Sequence, residues 1–246
     1  MEILRNIGAY FMLMRRVFMR PTKLSLYRKQ LIQEIDSLAL GSLGIITVIS
    51  IFMGAVITLQ TASNIDSAII PSYTVGFAAR QSIILEFSTT IIALILAGKI
   101  GSNIASEIGT MRVTEQIDAL EIMGVNSASY IIVPKIFATI LMLPFLVIWS
   151  MFVSLFGGYL IAMFTSVVSV SEYIYGIQYE FKIFSVTYAL IKSLFFAFII
   201  TSIPAYYGYT VKGGSLAVGE ASTRGVVTSS IVILIVNYVL TQILLI

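Results

Sequence analysis

The sequence predicts an all-α integral membrane protein, with one N-terminal helix lying in the membrane interface and five helices crossing the bilayer. Three observations carry this. Apolar residues make up 58% of the chain and charged ones 11%, with a mean hydropathy of +0.99, against roughly 45–50% and about 25% in soluble domains. Five apolar runs are each long enough to cross about 30 Å of hydrocarbon, which takes roughly 20 residues. Twelve of the 15 Lys and Arg lie before the first run or between alternate runs, on one side of the membrane. The runs are continuously apolar and not alternating, which favours helices over a β-barrel.

The N-terminal 1–37 form an interfacial helix and a basic segment. Ile3, Leu4, Ile7, Tyr10, Phe11, Met14, Val17 and Phe18 recur at helical spacing, with Arg5, Arg16 and Arg20 off that stripe. This suits a helix in the headgroup layer, its cations toward anionic lipid, ended by Pro21. A helix packed on the bundle is a compatible reading. Arg15 and Arg16 interrupt any signal-peptide core. The membrane domain, 38–246, has spans at about 38–61, 78–98, 136–164, 183–207 and 225–246. Pro144 kinks the long third span or the span tilts. Small residues four apart (Ala93, Ala97, Gly101; Gly158, Ala162; Ala189, Ser193, Ala197) allow close helix approach.

Lys/Arg bias sets the orientation. Seven precede the first span, three (Lys99, Arg112, Lys135) flank the loop between spans two and three, and two (Lys212, Arg224) lie between spans four and five. The other side has only Arg80 and Lys182. The N-terminus is therefore expected in the cytoplasm and the C-terminus outside. A net charge of +3 is too small to suggest nucleic acid. The absence of His and Cys removes Ser–His and Cys nucleophile chemistry, thiolate and imidazole zinc sites, and disulfides. An intramembrane enzyme is thus a poor reading.

The segment between Lys99 and Lys135 holds a short amphipathic helix. Val113, Ile117 and Leu120 form its apolar stripe, Arg112, Glu115, Asp118 and Glu121 line the other faces, and Gly124 suits a C-cap. It reads as a docking piece for a motor subunit, with a solvated connector as the competing account. Glu86 and Lys192 lie inside spans, where each charge costs at least about 2.5–3.5 kcal/mol and faces a partner or a wet cavity. A structural ion pair and a lipid-contacting pair are both compatible with that. The outer aromatics Tyr173, Tyr175, Tyr179 and Phe181 suit an interfacial belt, or contact with an outer partner. Tyr206, Tyr207 and Tyr209 read as the corresponding cytoplasmic belt.

Ala97-Gly98-Lys99-Ile100-Gly101-Ser102, then the run from Glu107 to Leu120, then Met123-Gly124-Val125 and Val133-Pro134, resemble the MlaE permease family. Leu190-Ile191-Lys192-Ser193, Gly208, Lys212-Gly213-Gly214, Val218-Gly219 and the run from Ala221 to Val227 extend the likeness, which covers about residue 40 to the end. Members are membrane subunits of ABC transporters that move phospholipid between Gram-negative membranes. The resemblance implies an inner-membrane homodimer working with an ATPase subunit (MlaF-like), an MCE-domain lipid-binding subunit (MlaD-like) and, in some members, a STAS-domain subunit (MlaB-like).

It also implies that lipid occupies an outward-opening cavity, assigning lipid contact to Gln60, Glu86 and Lys192 and ATPase coupling to Arg112, Glu115, Gln116, Asp118 and Glu121. The sequence departs from many relatives beside Glu86. They read Arg-Glu followed by Gly-Pro, whereas here Leu85-Glu86-Phe87-Ser88 stands. Arg80, six residues away, is the nearest cation that could replace the arginine. The chain contains no G-x-x-x-x-G-K-[ST] phosphate loop, so it is expected to be no enzyme, with no cofactor of its own and ATP bound by the partner. An ion- or proton-coupled carrier using Glu86 and Lys192 is the alternative function, disfavoured because no internal repeat is visible.

Overall fold

The computed structural model describes residues 2–19, 30–65, 70–165 and 167–245. Among these, all regular structure is helical: α1 (Glu2–Phe18), α2 (Gln30–Asn64), α3 (Tyr73–Val113), α4 (Gln116–Ile122), α5 (Ser127–Phe164), α6 (Val170–Gln178), α7 (Ile183–Tyr209) and α8 (Ser215–Leu245). α2, α3, α5, α7 and α8 are long and apolar enough to cross a membrane, so the chain is a multi-pass membrane protein. Arg20, Pro21, Lys23, Arg28 and Lys29, and 66–69 of the loop after the first span, lie outside the described residues.

The helices outrun the apolar segments that predict them. α3 continues to Val113, α5 begins at Ser127 and α8 at Ser215, where hydropathy alone gives 98, 136 and 225. Apolar content marks only the part of a helix that lipid covers. Backbone hydrogen bonding carries on through polar residues that still favour helix. At about 1.5 Å per residue, the 41 residues of α3 span about 60 Å, twice the hydrocarbon thickness. The stretch expected to be a loop is therefore mostly helix.

The packing divides the chain into two compact units. One comprises Met1–Gly41, Ala93–Leu143 and Leu194–Ile246; the other comprises Ser42–Ile92 and Pro144–Ser193. In the second unit, glycines bring helices into backbone contact. A Cβ on Gly54 of α2 would lie 1.8 Å from the carbonyl oxygen of Ser154 in α5, and one on Gly157 would lie 2.2 Å from that of Ile51. Ser50 and Ser150 hydrogen-bond at 2.9 Å across the same seam. Gly54→Ala is therefore expected to destabilise by about 3 kcal/mol or more through overpacking against a backbone that cannot swing away. Gly44→Ala, whose new methyl meets open space, should be silent. Thermal unfolding of both variants in detergent checks this.

The short helix α6 is capped by Ser169, whose hydroxyl accepts from the Glu172 amide at 3.3 Å. Tyr173 is a correction to the belt reading: it is completely buried, and its hydroxyl donates to Leu155 O at 3.1 Å. Tyr175, Tyr179 and Tyr73 do form an aromatic cluster, with Tyr73 edge-on to Tyr175. Arg80 is buried too. It donates to Ile177 O at 2.7 Å and Tyr179 O at 2.9 Å, closing the carbonyl end of α6 where the helix dipole favours a cation. Phe77 and Phe181 sandwich it.

In the first unit, family-like glycines are points of close approach. Gly208 meets Ala105 backbone, Gly101 meets Pro204 and Gly109 meets Val218. α1 rests on this unit through Tyr10, Leu13, Met14 and Val17, and Tyr10 hydrogen-bonds Ser202 at 2.8 Å. Leu4, Ile7, Phe11 and Phe18 remain exposed on the adjoining strip. The apolar stripe thus splits, one edge packed on the bundle and the other left exposed. The cytoplasmic belt reading is corrected as well: Tyr206 and Tyr209 are buried, and Tyr207 pairs with Thr228 at 3.1 Å.

Candidate functional site

Glu86 and Lys192 meet in the second unit. Glu86 stands in a π-helical stretch of α3, Ile83–Ile91, where widened turns disturb the regular hydrogen-bond ladder; such departures recur at functional positions. Thr89 donates to the carbonyls of Leu85 at 3.3 Å and Glu86 at 3.2 Å, so side chains satisfy backbone groups there. Lys192, one helix over, donates to Glu86 Oε1 at 3.0 Å, Tyr188 Oη at 2.9 Å and Leu85 O at 3.3 Å. Its ammonium also lies 4.6 Å from the Tyr188 ring centre. Thr90 donates to Glu86 Oε2 at 3.1 Å.

The two charges differ in access. Lys192 is completely buried, and its three N–H groups match three acceptors. The Glu86 side chain keeps 42% of its surface exposed. The pair is therefore an ion pair with an open carboxylate edge: Lys192 holds the carboxylate in place, and Glu86 is the member a ligand can touch. Gln60 is exposed near the end of α2 and makes no described contact with either. Arg80, committed to the end of α6, does not stand in for the arginine absent beside Glu86.

The second candidate region is α4 with its flanking turns, in the first unit. Ile117 is completely buried, with Val113 and Leu120 partly so, as the stripe predicts. Gly124 at φ +75° ends the helix in a Schellman motif, with Gly124 N–H donating to Glu121 O and Val125 N–H to Leu120 O, both at 3.0 Å. Arg112 and Asp118 pair at 2.6 Å. Glu115, at φ 60° in the preceding turn, and Gln116 are exposed.

Glu121 is exposed, as expected of it, but its carboxylate is fully engaged within the chain. It accepts from Arg16 at 2.8 Å, Ser127 at 2.9 Å and Tyr209 at 3.0 Å, tying α1, α4, α5 and α7 together. Four residues from Ile117 is only about 40° around a helix of 3.6 residues per turn, so Glu121 falls beside the buried face. Ile122 and Met123 protrude furthest, 88% and 69% exposed. Their signal in the sequence is two large apolar residues off the stripe, directly before the capping glycine.

The Glu121 carboxyl is held below its ordinary 4.5. Burial acts to raise it, and the hydrogen bonds from Ser127 and Tyr209 with the charge of Arg16 outweigh that. A folded value below the unfolded one means the stabilisation is complete above about pH 4.5 and is lost as pH falls through the folded value. The chain has no cysteine, so a nitroxide on Met12→Cys reports α1 alone. Its mobility should rise on acidification below 4.5, and this response should vanish in Glu121→Gln. A flat profile in the parent would sink the latch.

A further charge cluster was not visible in the sequence. Lys135, expected at a loop edge, is 1% exposed and pairs with Glu34 at 2.6 Å and Glu107 at 2.7 Å, joining α2, α3 and α5. Its carboxylate partners lie 101 and 28 residues away, beyond any local pattern.

Similarity to known proteins agrees with this architecture. The chain is 35% identical over 217 residues to a probable ABC transporter permease protein of Rickettsia bellii, covering 88% of this chain and 83% of that one. It is 33% identical over 236 residues to a probable ABC transporter permease protein of Synechocystis, covering 96% and 89%. It is also 29% identical over 227 residues to the Arabidopsis thaliana chloroplastic protein TRIGALACTOSYLDIACYLGLYCEROL 1, covering 92% and 65%. With the Permease MlaE family model matching residues 31–243, the chain belongs to the MlaE permease family.

Proposed function

We propose that this chain is the permease subunit of an ABC transporter that moves phospholipid between the inner and outer membranes of a Gram-negative envelope. The observation that carries this reading is Glu86, a half-exposed carboxylate on the π-helical stretch of a spanning helix, fixed by the buried Lys192. A polar edge inside an apolar bundle gives a headgroup somewhere to go while acyl chains stay against apolar helices. An ammonium or hydroxyl headgroup would donate to Glu86, and Lys192 positions the carboxylate. Gln60, exposed toward the end of its span, would meet lipid nearer the exit. A relative named for a glycerolipid, trigalactosyldiacylglycerol, supports the substrate class.

The chain works as an inner-membrane homodimer with its N-terminus in the cytoplasm and C-terminus in the periplasm, as the cation bias supports. ATP binds to a separate ATPase subunit, and this chain is not itself an enzyme. That subunit docks on α4 through Glu115, Gln116, the Arg112–Asp118 pair and the protruding Ile122 and Met123. An MCE-domain subunit receives or delivers lipid on the outer face, and a STAS-domain subunit accompanies the ATPase. Native mass spectrometry of the complex purified from its own membrane should show two copies of this chain, two of the ATPase and bound phospholipid. A proton gradient driving lipid movement without ATPase or nucleotide would favour the carrier and overturn the reading.

A further inference from the structure

A polar cavity of about 260 Å³ in the first unit lies outside both regions above, between α1, the end of α7 and the start of α8. That is several times the ~30 Å³ of one water molecule. Asn6, Tyr206, Lys212, Glu220 and Arg224 are among its lining residues. Lys212 has no ion-pair or hydrogen-bond partner among the described residues, and it precedes Gly213, whose φ of +122° turns the chain between the two spans. Arg224 leans on Glu220 at 3.6 Å, both side chains 72% exposed, a pairing worth little in such a setting. Two cations, Lys212 and Arg224, against the one carboxylate of Glu220 leave the lining net basic.

Its surroundings are apolar. Ile7 on α1 and Leu216 at the start of α8 are exposed and adjoin the cavity residues Asn6 and Ala217 in sequence, and exposed Leu4 lies two residues before Asn6. Basic pockets between spans on the cytoplasmic side suit anionic lipid headgroups, and free phosphate would have no use for the apolar rim. We infer that this cavity binds the phosphodiester headgroup of an anionic phospholipid of the cytoplasmic leaflet. Lys212 and Arg224 contact the phosphate, Asn6 donates to it, and the acyl chains lie along Leu4, Ile7 and Leu216. Such a lipid bridges α1 to the α7–α8 turn and is separate from the lipid at Glu86.

The full chain in detergent, titrated with phosphatidylglycerol, phosphatidylcholine or inorganic phosphate and read by native mass spectrometry, tests this. Phosphatidylglycerol should be retained over phosphatidylcholine, and 10-millimolar-scale phosphate should not displace it. Lys212→Gln with Arg224→Gln should weaken retention roughly ten- to thirty-fold, the scale expected for two surface cations, with unfolding temperature unchanged. Ala217→Trp, which fills the cavity and keeps its charge, should weaken it likewise. Glu86→Gln and Lys192→Met should retain the lipid, which separates this site from the proposed transport route. Equal retention of both lipids, unaltered binding in the cavity variants, or binding of phosphate alone would overturn the inference.

Discussion

Replacing Lys192 with methionine is expected to leave the protein folded while lipid movement in proteoliposomes falls at least about tenfold. Methionine has a similar length and volume, so it fills the completely buried site without leaving a cavity, and the Glu86 carboxylate left behind is 42% exposed and stays solvated. Glu86 then keeps its exposed edge and the Thr90 hydrogen bond but loses the group that fixes its direction. Glu86→Ala should behave differently. It strands a buried ammonium without its counter-charge, and breaking a buried pair from one side costs about 3–5 kcal/mol. The glutamate variant should therefore lose stability and transport together, and the lysine variant transport alone. Normal transport by a well-folded Lys192→Met would remove the pair from the lipid route and leave it a structural ion pair.

The second large effect is expected at the tip of α4. Ile122→Asp combined with Met123→Asp should abolish co-purification of the ATPase subunit, a loss of two orders of magnitude or more in affinity. Exposed apolar side chains that become buried at an interface centre cost on the order of 2 kcal/mol or more each when removed, and a carboxylate adds desolvation. Neither side chain is packed within the chain, so the fold should not notice. Glu115→Lys with Asp118→Lys should weaken association by a smaller, salt-dependent amount, since rim charges act mainly on encounter. Glu121→Gln should leave association intact and loosen α1. ATPase retained by the double aspartate variant would place docking elsewhere.

The contrast within α4 shows how far the sequence could be read. Helical periodicity identified Ile117 as the inward residue and Gly124 as the cap, because both follow from angles around one helix. The same wheel places Glu121 beside the buried face, where it stays exposed as a charged residue is expected to, and what periodicity could not show is what it bonds. Its three partners come from α1, α5 and α7, which no local pattern joins. Arg80 was a candidate replacement for the arginine missing beside Glu86; only the packed α6 reveals that its donors are already used. The tyrosines show the same limit: aromatic content at a span's end predicts a belt, and Tyr173, Tyr206 and Tyr209 are buried instead.

Membrane class, the number of spans, the amphipathic N-terminal helix and family membership were settled by the chain alone. Each is a sum or a period along contiguous residues: burial of about 20 apolar side chains, a 3.6-residue repeat, an ordered run of motif residues. The tertiary structure decided which charges meet. Lys192 with Glu86, Lys135 with Glu34 and Glu107, and Arg16 with Glu121 are separated by 28 to 106 residues. Inside an apolar bundle an unpaired charge is costly enough to demand a partner, so the sequence announces that one exists. Which one it is depends on how close neighbouring helices come and how each is rotated, and that is set by contacts such as Gly54 on Ser154 and Gly208 on Ala105.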